Sequence, residues 1–405
     1  MKNIIIIHQY FVKPDQAGAH RVYSHAMNLS KDGFNVVVVT CDANDSQKEL
    51  WTEEKLNKNL TVFRLKNNGY FHGKQASNNE RFSSFLRFSF LSFFKIFFMK
   101  KDIIYATSTP LTVAIPALIF KIFFGKKYIF EVRDLWPDVP VSLGYLKNKF
   151  LVFLAYSLEY FAYFFASAII VVSPGMKDEI RLKGFKNKKI FTVENGCDDF
   201  FQTEKNKTKE NFGLNENILK KDIVVYIGSI TANYGIEYIL HLAKSMLELS
   251  KDVVFLVAGG GYMKDEMISE AENLNILNKN FFYLGSIAKE KVPKLYSLSK
   301  LSICVVRDRP EIQKYAVNNK FFDSIASGTP ICTNFDSFQT DIAKKNDFCV
   351  FIKDLDMQDA AKKVLEYINN EDWLMEASGK ARSVALNQFN RAKQSKKIIE
   401  IINGI

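Results

Sequence analysis

"KYIFEVRDLWPDVP" occupies residues 127–140. Its first half, an apolar run with aromatic and β-branched side chains, reads as a buried strand. The run then breaks into Glu131, Arg133, Asp134, Trp136, Pro137 and Pro140. The two prolines prevent immediate helix formation. Two readings stand at this point. The segment is a plain strand exit, or it is the rim of a site, because open α/β sheets bind ligands at the carboxyl ends of their strands.

The same pattern recurs along the chain. "IIII", "NVVVVT", "DIIYAT", "AIIVVS" and "KIFTV" are short continuous apolar runs. Helical stretches separate several of them; in "HRVYSHAMNLSKDG", Val22, Ala26 and Leu29 share one face. Continuous apolar strands between helices imply a parallel sheet covered on both sides. The alternation stops at "DDFFQTEKNKTKENFGLN", a polar stretch that reads as a linker over 198–215. It restarts with "DIVVYIG", "DVVFLVAGG", "FFYLG", "LSICVV", "TPICT" and "FCVFI". A chain of 405 residues is too long for one ordinary core. Two doubly wound α/β domains in series are expected, at 1–197 and 216–385, with a cleft between them and a closing helix over 386–405.

The net charge of +11 points to an anionic partner: nucleic acid, acidic lipid or a phosphorylated substrate. No compact run of five Lys/Arg occurs, so a nucleic-acid tail is not supported. Cys41, Cys197, Cys304, Cys332 and Cys349 form no C-x-x-C pair and fit buried thiols of a reducing compartment. "MKNIIIIHQYF" is too short in apolar residues for a secretion signal and reads as a first strand. Residues 150–172 have the length of a membrane span, but Glu159 sits in the middle. They divide instead into a helix, 150–166, and a strand, 168–172. Residues 81–100 are rich in Phe but carry Arg81, Arg87, Lys95 and Lys100, too much charge to span. This segment lies on a membrane surface or forms a core helix with a wide apolar face.

Several stretches could carry chemistry. Gly18 precedes a helix that bears Arg21 and His25, a loop able to approach an anion or an ordinary β–α turn. Gly228 and Gly235 bracket a strand-to-helix turn without G-x-G-x-x-G spacing. Gly259 to Gly261 form another such turn. In "VNNKFFDSIASGTP", Lys320, Asp323, Ser324 and Ser327 fall on one helix face, with Gly328 as the C-terminal cap. A lysine there can meet a phosphate, and a carboxylate one turn on can accept from a ribose diol. The simpler reading is a surface ion pair between Lys320 and Asp323. "DLD" at Asp354–Asp356 reads as a helix N-cap rather than a metal ligand. His8, His20, His25, His72 and His241 show no H-E-x-x-H spacing, and no G-x-S-x-G or Walker loop is present.

The order of these motifs resembles bacterial retaining glycosyltransferases of family 4, with the two-domain GT-B fold. "HQYF…AGAHRVYSHAMNLSKDGFNVVVVT", "VVSPGMKDEI", "FTVENGCDDFF", "VAGGGYMKDEM" and "NNKFFDSIASGTPI" follow in the family's order. "EVRDLWPDVPVSLG" is similar to a signature of the branch that transfers N-acetylated amino sugars, such as L-fucosamine, in O-antigen and capsule pathways. The resemblance implies two Rossmann-like domains and a closing helix that crosses back to the first. It implies a UDP-sugar donor on the second domain, with Lys320 on the diphosphate, Asp323 on the ribose, and Gly228 and Gly235 flanking the diphosphate. Gly18 and Arg21 would approach the donor from the first domain. Arg133 and Asp134 are the expected sugar or acceptor contacts, with Asp134 as proton acceptor and Trp136 and Pro137 shaping the acceptor wall. The acceptor implied is a polyprenyl-diphosphate-linked glycan, the location the inner face of the cytoplasmic membrane, the membrane contact residues 81–100. No cofactor, metal or nucleic acid is expected.

Two departures from the family stand out. The E-x7-E pattern is lost: Asp323 takes the second position and Tyr315 the first. An Arg and a Lys that the family places after the second domain's first strand are absent, and Ser229 and Tyr234 lie there. Lys320, backbone N–H groups, and Arg307 or Arg309 are left to meet the diphosphate charge. No carboxylate pair suits a glycosidase-like double displacement. The resemblance implies front-face displacement instead. A non-hydrolysing 2-epimerase, a nicotinamide-dependent dehydrogenase and an idle membrane scaffold are the competing readings.

Overall fold

The computed structural model describes residues 1–14, 16, 18, 20–42, 48–66, 78–142, 144–198, 201, 212–307, 313 and 315–405. Most of the expected linker, together with His72 and Arg309, lies outside the described residues. The chain forms two units. One comprises Met1–Pro14, Gly18–Glu194 and Ala392–Ile405; the other comprises Asp15–Ala17 and Asn195–Arg391.

The first unit is built on β1 (Asn3–Ile7), β2 (Asn35–Cys41), β3 (Trp51–Asn57), β4 (Leu60–Leu65), β5 (Ile103–Thr107), β6 (Lys127–Val132), β7 (Ala168–Val171) and β8 (Ile190–Thr192). Their order in the sheet is β3-β4-β2-β1-β5-β6-β7-β8. All pairs are parallel except β3 with β4. β3 and β4 were not among the strands expected from the sequence. β3 is an edge strand whose "TEEK" carries no apolar run, so its pairing depends on β4 rather than on its own pattern.

The helices that matter here are α1 (Arg21–Lys31), α2 (Asn78–Phe97), α3 (Ala114–Phe124), α4 (Asp138–Ser142) and α5 (Lys149–Phe165). On one side of the sheet, Val22, Ala26 and Leu29 of α1 bury against Ile4, Ile6, Val36 and Val38, as the periodicity requires. Ile398 and Ile402 of the last helix, Arg391–Asn403, complete this core. Each such isoleucine contributes about 1.5–3 kcal/mol. The chain's end therefore belongs to the first unit's core.

Residues 150–172 do divide into a helix and a strand, α5 and β7. Among the described residues no helix is long and apolar enough to cross a membrane. Glu159 is buried but paired: Lys183 Nζ lies 2.6 Å from Glu159 Oε1 and 2.6 Å from Asp138 Oδ2. The Tyr156 hydroxyl donates to Asp138 Oδ1 at 2.8 Å. This cluster clamps α4, and with it the segment after β6, onto α5. The Asn148 side chain caps the start of α5 by accepting from the Phe150 and Leu151 N–H groups.

The second unit holds β9 (Asp222–Ile227), β10 (Val253–Ala258), β11 (Phe281–Tyr283), β12 (Leu301–Ile303), β13 (Ile331–Thr333) and β14 (Cys349–Phe351). Their order is β11-β10-β9-β12-β13-β14, parallel throughout. In a parallel sheet all carboxyl ends lie on one edge, and the glycine turns after β9 and β10 emerge there side by side. Asp356 caps the helix Met357–Ile368 by accepting from the Asp359 N–H at 2.8 Å, as the spacing of "DLD" suggests.

Candidate functional site

In the first unit the parallel register aligns Ile7 of β1 with Ala106 of β5, and Thr107 with Glu131 of β6. The side chains at these strand ends meet. Glu131 is fully buried. Its Oε1 accepts from Arg21 Nε at 3.0 Å and Nη2 at 2.7 Å, and its Oε2 accepts from the Thr107 hydroxyl at 2.6 Å. Burial alone would push this carboxyl up. Arg21, aided by His25, the Thr107 hydroxyl and Arg133, overrides that and holds it down to about 2.

Arg21 also donates to the Val193 carbonyl at 2.8 Å and to the Glu194 carbonyl. It is 1% exposed. This corrects the expectation that Arg21 assists the donor phosphate. Its guanidinium is enclosed by a carboxylate and two carbonyls and ties the start of α1 to β6 and to the end of the unit's last strand segment. Glu131 is the buried counter-charge of Arg21.

Arg133 follows directly. Its N–H donates to the Ser108 hydroxyl at 2.9 Å, and its Nη1 lies 3.3 Å from His8 Nε2. A guanidinium only donates, so His8 Nε2 accepts and the ring proton sits on Nδ1, facing the Thr107 carbonyl at 3.5 Å. Burial first, then the Arg133 charge, lowers His8 to about 3, against Glu131 and the backbone carbonyls that favour the charged ring. His8 is thus a neutral acceptor that positions Arg133. Sequence reasoning missed it. The available signal was its place as the first polar residue after β1, at a strand's carboxyl end.

Asp134 is exposed. Surrounding protein pushes its carboxyl up, while Arg133 and the Thr109 hydroxyl pull it down; water tempers all three effects. Trp136 is half-buried and meets Phe85 of α2 edge-on, centroids 6.1 Å apart. Gly18 has φ +140°, and a Cβ there would come within 2.9 Å of Val12 Cγ2. Its glycine is required by packing within its own loop. The structure brings His8, Arg21, Glu131 and Arg133 together, with Asp134 and Trp136 continuing from them.

In the second unit, Gly228 follows β9, and a Cβ on it would sit 2.1 Å from Lys320 Cε. A Cβ on Gly259 would sit 1.9 Å from the Gly228 carbonyl oxygen. Adjacent strand-end turns therefore press together with no room for side chains, and the lysine chain lies across them. Gly235, at φ +54°, opens the helix Ile236–Leu249 against the Val306 backbone.

Lys320 is 6% exposed, in the first turn of the helix Asn319–Ala326. Its Nζ lies 3.3 Å from the Tyr234 ring centroid and 4.8 Å from that of Tyr226. The ion pair with Asp323 allowed by the sequence does not form. Asp323 Oδ2 pairs with Lys289 Nζ at 2.8 Å, and Lys289 also lies over the Phe201 ring. Ser324 and Ser327 are buried, so this polar helix face is internal rather than solvated. Burial lowers Lys320 to about 7, with Cys304 and Asp323 opposing. An ammonium without a carboxylate partner among the described residues, beside glycine turns and helix N-termini, suits an incoming anion. Lys289 is a second cation the sequence reading overlooked. Arg307 is exposed, and its N–H donates to the Asn233 carbonyl at 3.1 Å.

Comparison with known proteins assigns these halves. Residues 18–199 match the family model "Glycosyltransferase Family 4", and residues 204–384 match "Glycosyl transferases group 1". The chain is a GT4-like glycosyltransferase of the GT-B fold. Among curated relatives, the alpha-D-kanosaminyltransferase of Streptomyces kanamyceticus is 23% identical over 144 residues. That match covers 34% of this chain and only 36% of the relative. Sucrose-phosphate synthase from Thermosynechococcus elongatus superposes with a TM-score of 0.80 at 14% identity, covering 100% of this chain and 99% of that one. HepE of Anabaena, solved with UDP-glucose, superposes with a TM-score of 0.72 at 12% identity over 100% of both chains.

Proposed function

We propose that the protein transfers a sugar from a UDP-sugar to a lipid-linked glycan acceptor, with retention of configuration, in cell-surface polysaccharide synthesis. The observation that carries this reading is Lys320, a buried ammonium with no carboxylate partner among the described residues, laid across the glycine turn at Gly228. Sugar transfer from a nucleotide needs charge preorganised on the departing diphosphate. Lys320, the N–H groups of the turns around Gly228 and Gly235, and the helix N-termini supply it. Asp323, held by Lys289, faces the ribose. UDP complexes of fold relatives such as HepE support the donor class. The kanosaminyltransferase likeness supports an amino sugar.

As the donor's anomeric C–O bond breaks, the electron pair leaves with UDP. The acceptor hydroxyl attacks from the same face, and its proton passes to the leaving phosphate oxygen or to Asp134. Arg133, braced by His8, contacts the sugar or the acceptor, and Trp136 walls the acceptor side. No metal has a role in this reading. Residues 81–100, most of α2 and the turn after it, face the inner leaflet of the cytoplasmic membrane. Arg87 already donates to the Lys66 carbonyl and Lys95 lies over the Phe63 ring, so Arg81 and Lys100 are its electrostatic contacts.

The test supplies the protein with membranes and a panel of UDP-sugars. Glycolipid plus free UDP is expected, and Asp134→Asn should lower turnover while UDP affinity is retained. Epimerised nucleotide without glycolipid would favour a 2-epimerase. No turnover and no UDP binding would favour an idle scaffold.

A further inference from the structure

The described surface is divided sharply in its apolar exposure. Among the described residues of the second unit, only Leu249, Tyr262, Met375 and Leu386 are large, apolar and exposed. In the first unit such residues concentrate on three helices that pack side by side, α2 on α3 and α3 on α5. α2 exposes Phe82, Leu86, Phe90, Phe94 and, just past its end, Phe98, one residue every fourth position. That spacing is one continuous i, i+4 ridge that winds slowly along the helix. α3 exposes its last turn, Ile122, Phe123 and Phe124. Phe97 and Phe124 touch edge-on at 5.8 Å, which joins this turn to α2. α5 exposes a second row: Phe150, Phe153, Tyr160, Phe161 and Phe164. A folded domain does not leave two aromatic rows in water without a use for them.

The charge around these rows selects the occupant. α3 contains no acidic residue. The only one in α5, Glu159, is buried and neutralised by Lys183. α2 has only Glu80, in its first turn. Lys100 and Lys149 are exposed at helix ends, and Lys121 and Lys188 lie where α3 and α5 finish. Lys188 donates to the Phe164 and Ala166 carbonyls. Aromatic rows bordered by lysines and nearly free of carboxylates match an anionic bilayer: rings in the acyl boundary, ammonium groups among the phosphates.

We propose that α5, the last turn of α3 and the outer row of α2 form one bilayer-seated face, held chiefly by inserted aromatic side chains. This rests on the reading of the protein as acting on a lipid-linked acceptor, and extends its membrane contact from one helix to three. Other residues of α2 reach the strand-end site: Ser84 accepts from Gln9 Nε2 at 3.3 Å, and Phe85 meets Trp136. The membrane-facing helix thus adjoins the segment that carries Arg133, Asp134 and Trp136.

The test uses the full chain and vesicles of phosphatidylcholine with phosphatidylglycerol, scored by co-sedimentation. Wild-type protein should stay bound in about 0.5 M NaCl, where the Debye length is only about 4 Å. Phe153→Ser/Phe161→Ser/Phe164→Ser should lower the partition coefficient about tenfold or more, with the thermal unfolding midpoint unchanged. Phe90→Ser/Phe94→Ser on α2 serves as the comparison. Loss of binding in the α2 variant but not in the α5 variant would overturn the three-helix face and leave attachment through α2 standing. Release of the wild type by salt would overturn insertion. Binding by none of the proteins, with a wild-type dimer that the α5 substitutions dissociate, would make a second copy the occupant and overturn the proposal.

Discussion

Raising the pH from about 7 to about 9 should weaken UDP binding in step with the loss of the Lys320 proton. Burial against Tyr226 and Tyr234 brings this lysine to about 7 in the free protein, although Cys304 and Asp323 oppose the shift. A bound diphosphate supplies an anionic partner and returns the lysine to its ordinary range near ~10.4. With the protonated form alone competent, the apparent Kd rises as one plus ten to the power of pH minus 7. The increase over the low-pH limit is about twofold at pH 7, about elevenfold at pH 8 and about a hundredfold at pH 9. The diphosphate of UDP keeps its charge across this window, since a phosphate's second ionisation lies near ~6. Calorimetry at about pH 8, in two buffers of different ionisation enthalpy, should report uptake of about 0.9 proton per UDP. Lys320→Met should abolish that uptake and flatten the pH dependence. The same linkage has a stability side. The folded value lies below the unfolded one, so the free protein loses stability as pH falls from about 10.4 towards 7. Lys320→Met should therefore raise the unfolding midpoint of the ligand-free protein at neutral pH. A Kd that is flat from about pH 7 to about pH 9, with no proton uptake, would refute the reasoning.

Two further outcomes follow from the packing. Glu131→Gln strands the buried Arg21 charge and should cost about 3–5 kcal/mol in urea unfolding, whereas Arg21→Met combined with Glu131→Leu should recover most of it. In the wild type, the Glu131 contribution is complete above its unfolded value of about 4.3 and is lost as pH falls towards the folded value of about 2, which an acid-unfolding series reads directly. Gly228→Ala places a Cβ 2.1 Å from Lys320 Cε and displaces the ammonium. UDP affinity should fall about tenfold or more, and an unchanged Kd by calorimetry would mean that this turn does not hold the diphosphate.

Most strands were legible because buried parallel strands are continuous apolar runs, and the sites lie at their carboxyl ends as the sheet rule requires. β3 was not, since an edge strand needs no apolar run of its own, and β4 begins with alternating burial instead of a continuous apolar run. The partner of a charge was harder to read than its position. Spacing offered Asp323 to Lys320, yet Lys289, more than thirty residues earlier in the chain, takes the carboxylate. Arg21 stood one helix turn from His25 and looked available to a phosphate, but its carboxylate comes from β6, a hundred and ten residues on. His8 carried no motif; its role depends on Arg133 arriving from another strand. Glu159 was readable as a charge that argues against a membrane span, although its partner Lys183 was not. Local periodicity reports which face is buried, and only topology reports what meets it.

The grip of Arg21 on the Val193 and Glu194 carbonyls has a bearing on chimeric enzymes. The first unit ends at Glu194 and resumes at Ala392. Lys397 of the returning helix pairs with Glu194 at 3.0 Å. The last residues before the crossing are thus fastened from inside the first unit by a residue near its beginning and one near the chain's end. Exchange of the second unit with that of a relative should keep Arg21, Glu131, 193–194 and the closing helix as one inherited block, and should place its seams after Glu194 and before Ala392. A graft that carried its own final helix would bring a foreign residue to position 397 and leave the exit of the first unit held at one point instead of two.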